Sequence, residues 1–351
     1  MGDRLPRGGE EMVACFSDAP ADAAWTAGAD VDCDLGKAVG MELSERLWRE
    51  LVAPQIEREI PGVTSRVAVG RVGEGSECWG TDDVLSRDHD WGAGLCLWVS
   101  DDVVGASERE RMGAHVARLV AQAQKTCDYP VLPFAGPRLG IFETGEFYRR
   151  FIGLNHVPAS MDEWLATPVY GLAVAVNGRV FSDGPGRFTD FRNALTDECP
   201  QDIFLRRMSI DAFGAGQAGQ YNLLRALKRG NVPTAELMRS SFLVCALRLL
   251  FSLNGRHYPF NKWLYQKAGQ LPGAYPLCLR IGQLAKVHLD GDDALLRCAD
   301  LVDEICEALL VAFECHGLPR ANDGFLVSEA EGLHETIGDA TVASLPYMMA
   351  R

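Results

Sequence analysis

The stretch that decides the fold, residues 70–92, reads GRVGEGSECWGTDDVLSRDHDWG. An apolar run at 67–69 leads into Gly73, Gly75 and Ser76. Glycines let the backbone turn its N–H groups toward an anion, and Ser76 adds a hydroxyl at a point where a helix can begin. This half of the stretch predicts a phosphate site.

The second half of the stretch carries two acids. Eleven residues separate Ser76 from Asp88, and Asp90 follows two positions later. If a strand begins at residue 88, Asp88 and Asp90 share one face and His89 points to the other. Two neighbouring carboxylates repel each other unless a cation lies between them, and Mg²⁺ prefers oxygen ligands. The two halves together therefore predict a site for a metal and a nucleotide.

Gly75-Ser76 followed by Asp88-x-Asp90 resembles the signature of the nucleotidyltransferase superfold, in which a hydrophobic residue and Gly-Gly or Gly-Ser precede Asp-x-Asp at a similar spacing. The wider string is similar to an uncharacterised microbial branch of that superfold, a domain of unknown function of the DUF4037 type. The resemblance extends from about residue 41 to about residue 290. It includes the segments 147–150, 178–183 and 258–263. It implies the fold and the broad chemistry, but no substrate.

The resemblance also implies roles for the acids. Asp88 and Asp90 would act as catalytic residues and metal ligands, holding Mg²⁺ or Mn²⁺ over the triphosphate of an NTP, with ATP the expected nucleotide. The superfold usually adds a third carboxylate on the next strand, and Glu143 is the catalytic residue expected there. Asp183 is its rival. If neither acid reaches the metal, the chain would only bind nucleotide.

The predicted nucleotide-binding residues are Gly73, Gly75, Ser76 and Lys262. The glycine segment is not a P-loop, because no Gly-Lys-(Ser/Thr) follows it. Lys262 lies among aromatic residues, where a lysine can contact a β- or γ-phosphate. The alternative for Lys262 is a helix start at which its stem packs along aromatic side chains. Weaker phosphate candidates, each more often a solvated helix charge, are Arg149, Arg150, Arg192 and Lys228.

Two other features of the stretch have open interpretations. Asp82 and Asp83 either shape the connecting loop or bind a metal-bound water. His89-Asp90 also occurs in His-Asp metal phosphohydrolases, but that chemistry needs further His and Asp ligands. The remaining histidines of the chain show no compact pairing.

The composition limits the class of partner. The 351 residues are 47% hydrophobic and carry a net charge of −14. That charge repels phosphate backbones, which disfavours nucleic acid and favours a small-molecule or protein acceptor. The eleven cysteines form no Cys-x-x-Cys pair, which predicts buried free thiols in a reducing cytosol. No secretory signal and no membrane span is evident, so a cytoplasmic protein without membrane contact is expected.

The pattern changes along the chain and predicts four parts. Residues 1–40 are expected to be a poorly ordered leader, 41–187 a nucleotidyltransferase-like α/β domain, 188–318 a helical domain and 319–351 a weakly patterned tail. The fold class is therefore α+β, with a small mixed nucleotidyltransferase-like sheet, flanking helices and a C-terminal all-helical domain.

Several elements can be placed within these parts. Ser107 is a plausible N-cap for a helix over 107–125, and Pro54 is expected to kink or split the helix that begins near residue 42. Strands are predicted over 63–72, 88–99 and 137–144, with a further strand or hairpin around Asn177-Gly178 from 169–176 and 179–181. Helices of the second domain are predicted over 188–196, 201–229, 233–253, 260–270, 276–288 and 293–315.

These observations lead to one function and two alternatives. The expected activity is metal-dependent transfer of a nucleoside monophosphate, AMP being the expected group, from an NTP to a hydroxyl or amine of a small molecule or protein. The first alternative is a nucleotide-binding regulatory module without turnover. The second is a His-Asp type phosphohydrolase, which would release phosphate.

Overall fold

The computed structural model describes residues 39–87, 91–100 and 102–348. The predicted leader, except for its last two residues, and the predicted acids Asp88 and Asp90 therefore lie outside the described residues. The described chain divides into two compact units, residues 39–198 and 199–348.

The first unit contains four short strands and seven helices among its described residues. The helices are α1 (Gly40–Arg46, a π-helical turn at Leu47–Val52, then Ala53–Glu59), α2 (Ser76–Trp79), α3 (Ala106–Thr126), α4 (Thr144–Ile152), α5 (Met161–Ala166), α6 (Val169–Ala175) and α7 (Arg187–Asp197). The strands are β1 (Ala68–Arg71), β2 (Cys96–Val99), β3 (Gly140–Glu143) and β4 (Arg179–Asp183). A 3₁₀ turn covers Leu85–Arg87.

The strands form one mixed sheet in the order β3-β2-β1-β4. β1 is antiparallel to both of its neighbours, with Gly70 opposite Cys96 of β2 and Arg71 opposite Arg179 of β4. β2 and β3 are parallel, and Cys96 aligns with Gly140. Because side chains alternate along a strand, a sheet this short needs helices on both faces to bury its apolar residues.

Each face of the sheet packs against its own set of helices. Leu97 and Val99 point into a core that includes the apolar sides of α1 and α3. Trp98 points to the other face, where its ring stacks on Phe188 of α7 at 3.8 Å and meets Phe147 of α4 edge-on at 5.2 Å. These aromatic contacts fix α4 and α7 against the sheet.

The second unit is helical throughout its regular elements. Its helices are α8 (Gln201–Ala215, a π-helical turn at Gly216–Leu223, then Leu224–Lys228), α9 (Val232–Leu253), α10 (Asn261–Ala268), α11 (Tyr275–Ala285), α12 (Ala294–Cys315), α13 (Leu326–Glu335) and α14 (Ala340–Ala343). α8 packs against α9 and α13. The last two helices lie in the segment that the sequence leaves weakly patterned.

The α+β class, the small mixed sheet with flanking helices and the following helical unit are confirmed. The details differ at three places. β2 begins at Cys96, so residues 91–95 do not extend the strand that was predicted to start at residue 88. Val169–Ala175 is a buried helix rather than a strand, because a short apolar run fits either element. The cap of α3 is Gly105, not Ser107.

Eight cysteines of the described chain are free thiols, and six of these are buried. Cys315 departs from the expectation because it is disulfide-bonded. Among the helices of the described residues, none combines the length and the apolar character that crossing a bilayer would require.

Gly178→Ala tests the close approach of β1 and the turn before β4. Gly178 has φ 67°, and a β-carbon there would lie 2.1 Å from the carbonyl oxygen of Arg71. We expect a loss of unfolding free energy larger than the roughly 1–2 kcal/mol that a left-handed backbone costs an L-residue. Gly186→Ala is the control, since φ is 76° but the nearest atom would be 3.9 Å away. Equal losses in urea unfolding would contradict the close approach.

Candidate functional site

A cavity of about 200 Å³ lies beside the predicted glycine turn in the first unit. Gly73 and Gly75 form one part of its wall, and Arg138 and Arg150 form another. The lining also includes buried apolar residues such as Leu139. The glycine turn therefore shares one concave space with charged side chains, which are Arg71, Arg138, Arg150, Glu74 and Glu77.

Gly73 holds a backbone conformation that favours glycine, with φ 149°. Its N–H donates to Oδ1 of Asn177 at 3.1 Å, and its carbonyl accepts from Nδ2 of the same side chain at 2.7 Å. One amide side chain thus replaces the strand partner that β1 loses after Arg71. The turn is fixed by a residue that follows α6.

Gly75 and Ser76 begin the short helix α2, and Glu77 folds back over them. A β-carbon at Gly75 would lie 2.0 Å from Oε1 of Glu77, so a larger residue has no room unless Glu77 moves. Glu77 cannot move freely, because it is buried and accepts from Arg71 Nη2 at 2.6 Å and Nε at 2.9 Å. A residue larger than glycine at position 75 would displace Glu77 and break its ion pair with Arg71.

Arg71 also links the glycine turn to the segment that follows the predicted acids. Its Nη1 donates to the carbonyl of Gly92 at 2.7 Å and lies 3.4 Å from the hydroxyl of Ser44 in α1. Its side chain is only 3% exposed. The backbone two residues after Asp90 is therefore anchored to the strand that leads into the turn.

Asp82 anchors the same segment from the other side. Its Oδ2 accepts from the N–H of Gly40 at 2.6 Å and from Nε1 of Trp91 at 3.0 Å. Its Oδ1 is buried and has no hydrogen-bond partner in the described part of the chain. Asp83, by contrast, is exposed and accepts from Ser86, as a solvated loop residue does.

Arg138 and Arg150 line the cavity together with the Arg71–Glu77 pair, and Arg150 has aromatic neighbours. Arg150 lies 5.5 Å from the ring centroids of Phe142 and Phe147 and 5.4 Å from that of Phe151. Arg138 directly precedes the wall residue Leu139.

Burial raises the pKa of the Cys78 thiol, which also lines the cavity. The thiol therefore stays protonated and is a poor nucleophile.

Glu143 lies at the opposite end of the sheet from the glycine turn. The β2–β3 register aligns Gly140 with Cys96 and Glu143 with Val99, whereas β1 continues the other way toward Gly73. Three residues of strand correspond to about 10 Å. The carboxylate of Glu143 instead caps α4 by accepting from the N–H of Glu146 at 2.7 Å. The structure therefore does not bring Glu143 to the turn.

Asp183, like Glu143, lies at the end of the sheet far from the glycine turn and binds backbone N–H groups. It pairs with Ala68, at the start of β1. Its carboxylate accepts from the N–H groups of Gly186 and Thr189 at 2.9 and 2.8 Å. Both candidates for the third acid are committed to backbone N–H groups at the far end of the sheet.

The remaining phosphate candidates have structural partners or lie exposed. Lys262 is in the second unit, at the start of α10, where its Nζ lies 3.9 Å above the ring of Trp263. Arg192 donates to the carbonyls of Val176 and Gly178, which supports the turn before β4. Arg149 pairs with Glu146 at 3.2 Å, and Lys228 is exposed.

No group of three or more His, Cys, Asp or Glu side chains that could hold a metal is found in residues 39–87, 91–100 and 102–348. Asp88 and Asp90 lie outside these ranges, so their predicted roles stay predictions. The clustered histidines that a His-Asp phosphohydrolase needs are likewise not among the described residues.

Sequence reasoning missed how the turn is positioned, by the buried pair Arg71 and Glu77 and by the half-buried Asn177, which it assigned only to a hairpin turn. One signal was available for Arg71, which is a charged residue between the apolar positions Val69 and Val72 of a strand. Such a residue must find a buried partner. No local sequence pattern identifies Glu77 as its partner. None predicts the contact between Gly73 and Asn177 either, because the two residues are 104 positions apart.

Comparison with protein families gives one match. Residues 164–264 match the model of a domain of unknown function (DUF4037). This confirms the predicted resemblance to that uncharacterised family, over a shorter range than the sequence suggested. The match covers the end of the first unit and the beginning of the second, and it does not include the glycine turn.

Among solved structures, the chain is similar to the crystal structure of a nucleotidyltransferase-like protein from Exiguobacterium sibiricum 255-15. The alignment covers 76% of this chain and 78% of the other, with 12% identity and a TM-score of 0.32. At that level no residue role is transferred. No curated protein matches the chain.

Glu77→Gln is expected to lower the free energy of unfolding by roughly 3–5 kcal/mol, because it leaves the buried Arg71 guanidinium without its counter-charge. Glu50→Gln is the matched control. Glu50 pairs with Arg46 at 3.0 Å, but the two side chains are 60% and 50% exposed, so the cost should be far smaller than for Glu77→Gln. Urea unfolding measures both. Similar costs would show that Arg71 is not held mainly by Glu77.

Proposed function

We propose that this protein transfers a nucleoside monophosphate, AMP being the expected group, from an NTP to a hydroxyl or amine of a small molecule or protein. The observation that carries the proposal is the cavity that places the Gly73–Gly75 turn beside Arg138 and Arg150. A glycine turn and guanidinium groups are suited to polyphosphate oxygens.

The net charge of the chain limits the class of anion that the cavity would bind. With a net charge of −14, the protein repels an extended polyanion. The cavity wall carries Arg71, Arg138 and Arg150 against Glu74 and Glu77, and Glu77 is paired with Arg71. A small anion can still bind there, because this local excess of positive charge outweighs distant charges screened beyond about 10 Å. This supports a free nucleotide rather than a nucleic acid as the partner.

In this proposal Asp88 and Asp90 would hold Mg²⁺ or Mn²⁺. The orphaned, buried Oδ1 of Asp82 is consistent with a cation in this region, since Asp82 also binds Trp91, the residue that follows Asp90. When bound, the metal would neutralise the triphosphate and the leaving pyrophosphate. Arg150 and the glycine turn would orient the polyphosphate, and the Arg71–Glu77 pair would keep the turn in place.

A nucleotide-binding module without turnover is the second candidate. It is favoured by the register of the sheet, which keeps Glu143 and Asp183 away from the glycine turn. A transferase needs a group that accepts the proton of the attacking hydroxyl or amine. Without such a group the cavity would bind a nucleotide and hold it unchanged.

Pyrophosphate release separates the candidates. The protein, incubated with labelled ATP, Mg²⁺ or Mn²⁺ and a metabolite pool, is expected to release pyrophosphate, and Asp88→Asn to lower the rate about 100-fold or more because charge stabilisation is lost. Asp83→Asn is the control, since Asp83 is an exposed loop residue, and should leave the rate unchanged.

The other outcomes identify the alternatives. Metal-dependent ATP binding that Asp88→Asn abolishes, with no pyrophosphate from the wild type, would establish the binding module. Release of orthophosphate instead would indicate a phosphohydrolase. Loss of activity in Asp83→Asn as well would mean that the effect of Asp88→Asn comes from a change in the loop and not from the loss of a metal ligand.

Arg150→Gln is expected to weaken binding of a non-hydrolysable ATP analogue about ten-fold, because a charge-assisted contact to the polyphosphate is lost. Arg149→Gln is the matched control, because Arg149 is the neighbouring cation on the same helix, pairs with Glu146 and does not line the cavity. Isothermal titration calorimetry in the presence of Mg²⁺ measures both variants. Equal effects would place the polyphosphate elsewhere.

A further inference from the structure

The second unit contains a group of buried charges that the proposed function does not use. Arg207 and Asp211 lie one turn apart on α8, and Arg248 lies on the neighbouring helix α9. His257 and Tyr258 follow α9 in the segment that leads to α10. All five residues fall within the DUF4037 match.

Arg207 is nine-tenths buried, with 9% exposure. Within the described chain its guanidinium donates one hydrogen bond, from Nη1 to Nδ1 of His257 at 3.2 Å. A ring nitrogen that accepts from a guanidinium carries no proton, so His257 neither adds a positive charge beside Arg207 nor neutralises it. The guanidinium also lies 5.5 Å from the ring centroid of Phe204. No other hydrogen bond of Arg207 lies within the described chain, and its remaining N–H groups are open to solvent rather than buried without a partner.

Arg248 is even less satisfied. Its Nη1 is 4.0 Å from Oδ1 of Asp211, which is beyond hydrogen-bonding distance. Its Nε is buried with no partner among the described residues. The guanidinium lies 4.8 Å from the ring centroid of Tyr258. The side chain is 31% exposed, so one side of this group of charges can be reached from solvent.

The charges in this group do not balance. Two guanidinium groups face one carboxyl, and burial raises the pKa of Asp211 to about 7, against the lowering effect of Arg248 and Arg207. Near neutral pH this acid therefore cancels less than one of the two positive charges. Buried donors without acceptors cost free energy, and native proteins keep few of them.

We propose that Arg207 and Arg248 form a second anion site, which binds the phosphate group of a small molecule. Planar guanidinium forks match the oxygen spacing of a phosphate and can each give two parallel hydrogen bonds. The ring of Tyr258 lies beside Arg248, and burial raises the pKa of its hydroxyl, so the hydroxyl remains a donor. The site is built from residues of one compact unit, and it does not depend on the nucleotide site proposed at the glycine turn.

The test uses inorganic phosphate and the full chain. Histidine ring signals are followed by NMR during a phosphate titration at constant pH and ionic strength, with the His257 signal assigned from His257→Gln. The wild type is expected to show a saturable shift of the His257 signal with a dissociation constant on the order of 1 mM. Arg248→Gln should weaken it at least ten-fold. Acetate in the same titration shows whether a carboxylate binds as well.

Arg256→Gln is the matched control, because Arg256 is an exposed arginine one residue before His257. It should bind phosphate as the wild type does. Arg150→Gln should also leave the His257 shift intact, which separates this site from the one at the glycine turn. If Arg248→Gln is poorly folded by circular dichroism, Arg248→Lys replaces it, since it keeps the charge but loses the fork and should still bind several-fold more weakly.

Four results would overturn the proposal. The wild type could show no saturable shift of His257, the shift could persist in Arg248→Gln, or it could be lost equally in Arg256→Gln. It could also disappear in Arg150→Gln, which would mean that His257 reports phosphate bound at the glycine turn. Failure of nucleotide binding or of pyrophosphate release would not affect this result, because the readout is phosphate at His257.

Discussion

The site in the first unit depends on one buried ion pair, Arg71 with Glu77. Taking both charges out of water costs several kcal/mol each, and the attraction repays this only when the geometry is good and the remaining donors are satisfied. Here Arg71 meets Glu77 through two nitrogens and Gly92 through a third. The pair contributes position more than stability, since it holds the last residue of β1, the start of α2 and the backbone at residue 92 in one arrangement.

Other side chains hold segments of the first unit that lie outside its short strands. A four-residue strand supplies few ladder hydrogen bonds, so the segments beyond its ends need other partners. Asn177 serves the backbone of Gly73, Asp82 serves Gly40 and Trp91, and Arg192 serves the turn before β4. These side-chain hydrogen bonds join residues that are 9 to 104 positions apart in the sequence. The glycine turn beside the cavity is therefore held by a side chain as well as by the sheet.

This construction explains what the sequence could and could not predict. The helices of the second unit agree with their predicted bounds to within a few residues, because a long apolar stripe at helical spacing has one interpretation. The strands were harder, since 91–95 and Val169–Ala175 are short apolar runs that fit a strand, a loop or a buried helix equally well. Their final form was decided by tertiary contacts, such as the close packing of Gly171 against the backbone of Phe151.

The third acid shows that a sequence pattern can predict a strand but not which of its ends lies near the site. Glu143 was placed on the correct strand, but a strand has two ends, and only the register of its partner tells which end faces the glycine turn. The parallel pairing of β2 and β3 puts Glu143 at the wrong end for that turn. A proton acceptor for transfer would have to come from the side where β1 ends. In the described part of the first unit, Asp82 is the buried carboxylate on that side with an oxygen still uncommitted, because Glu77 already serves Arg71.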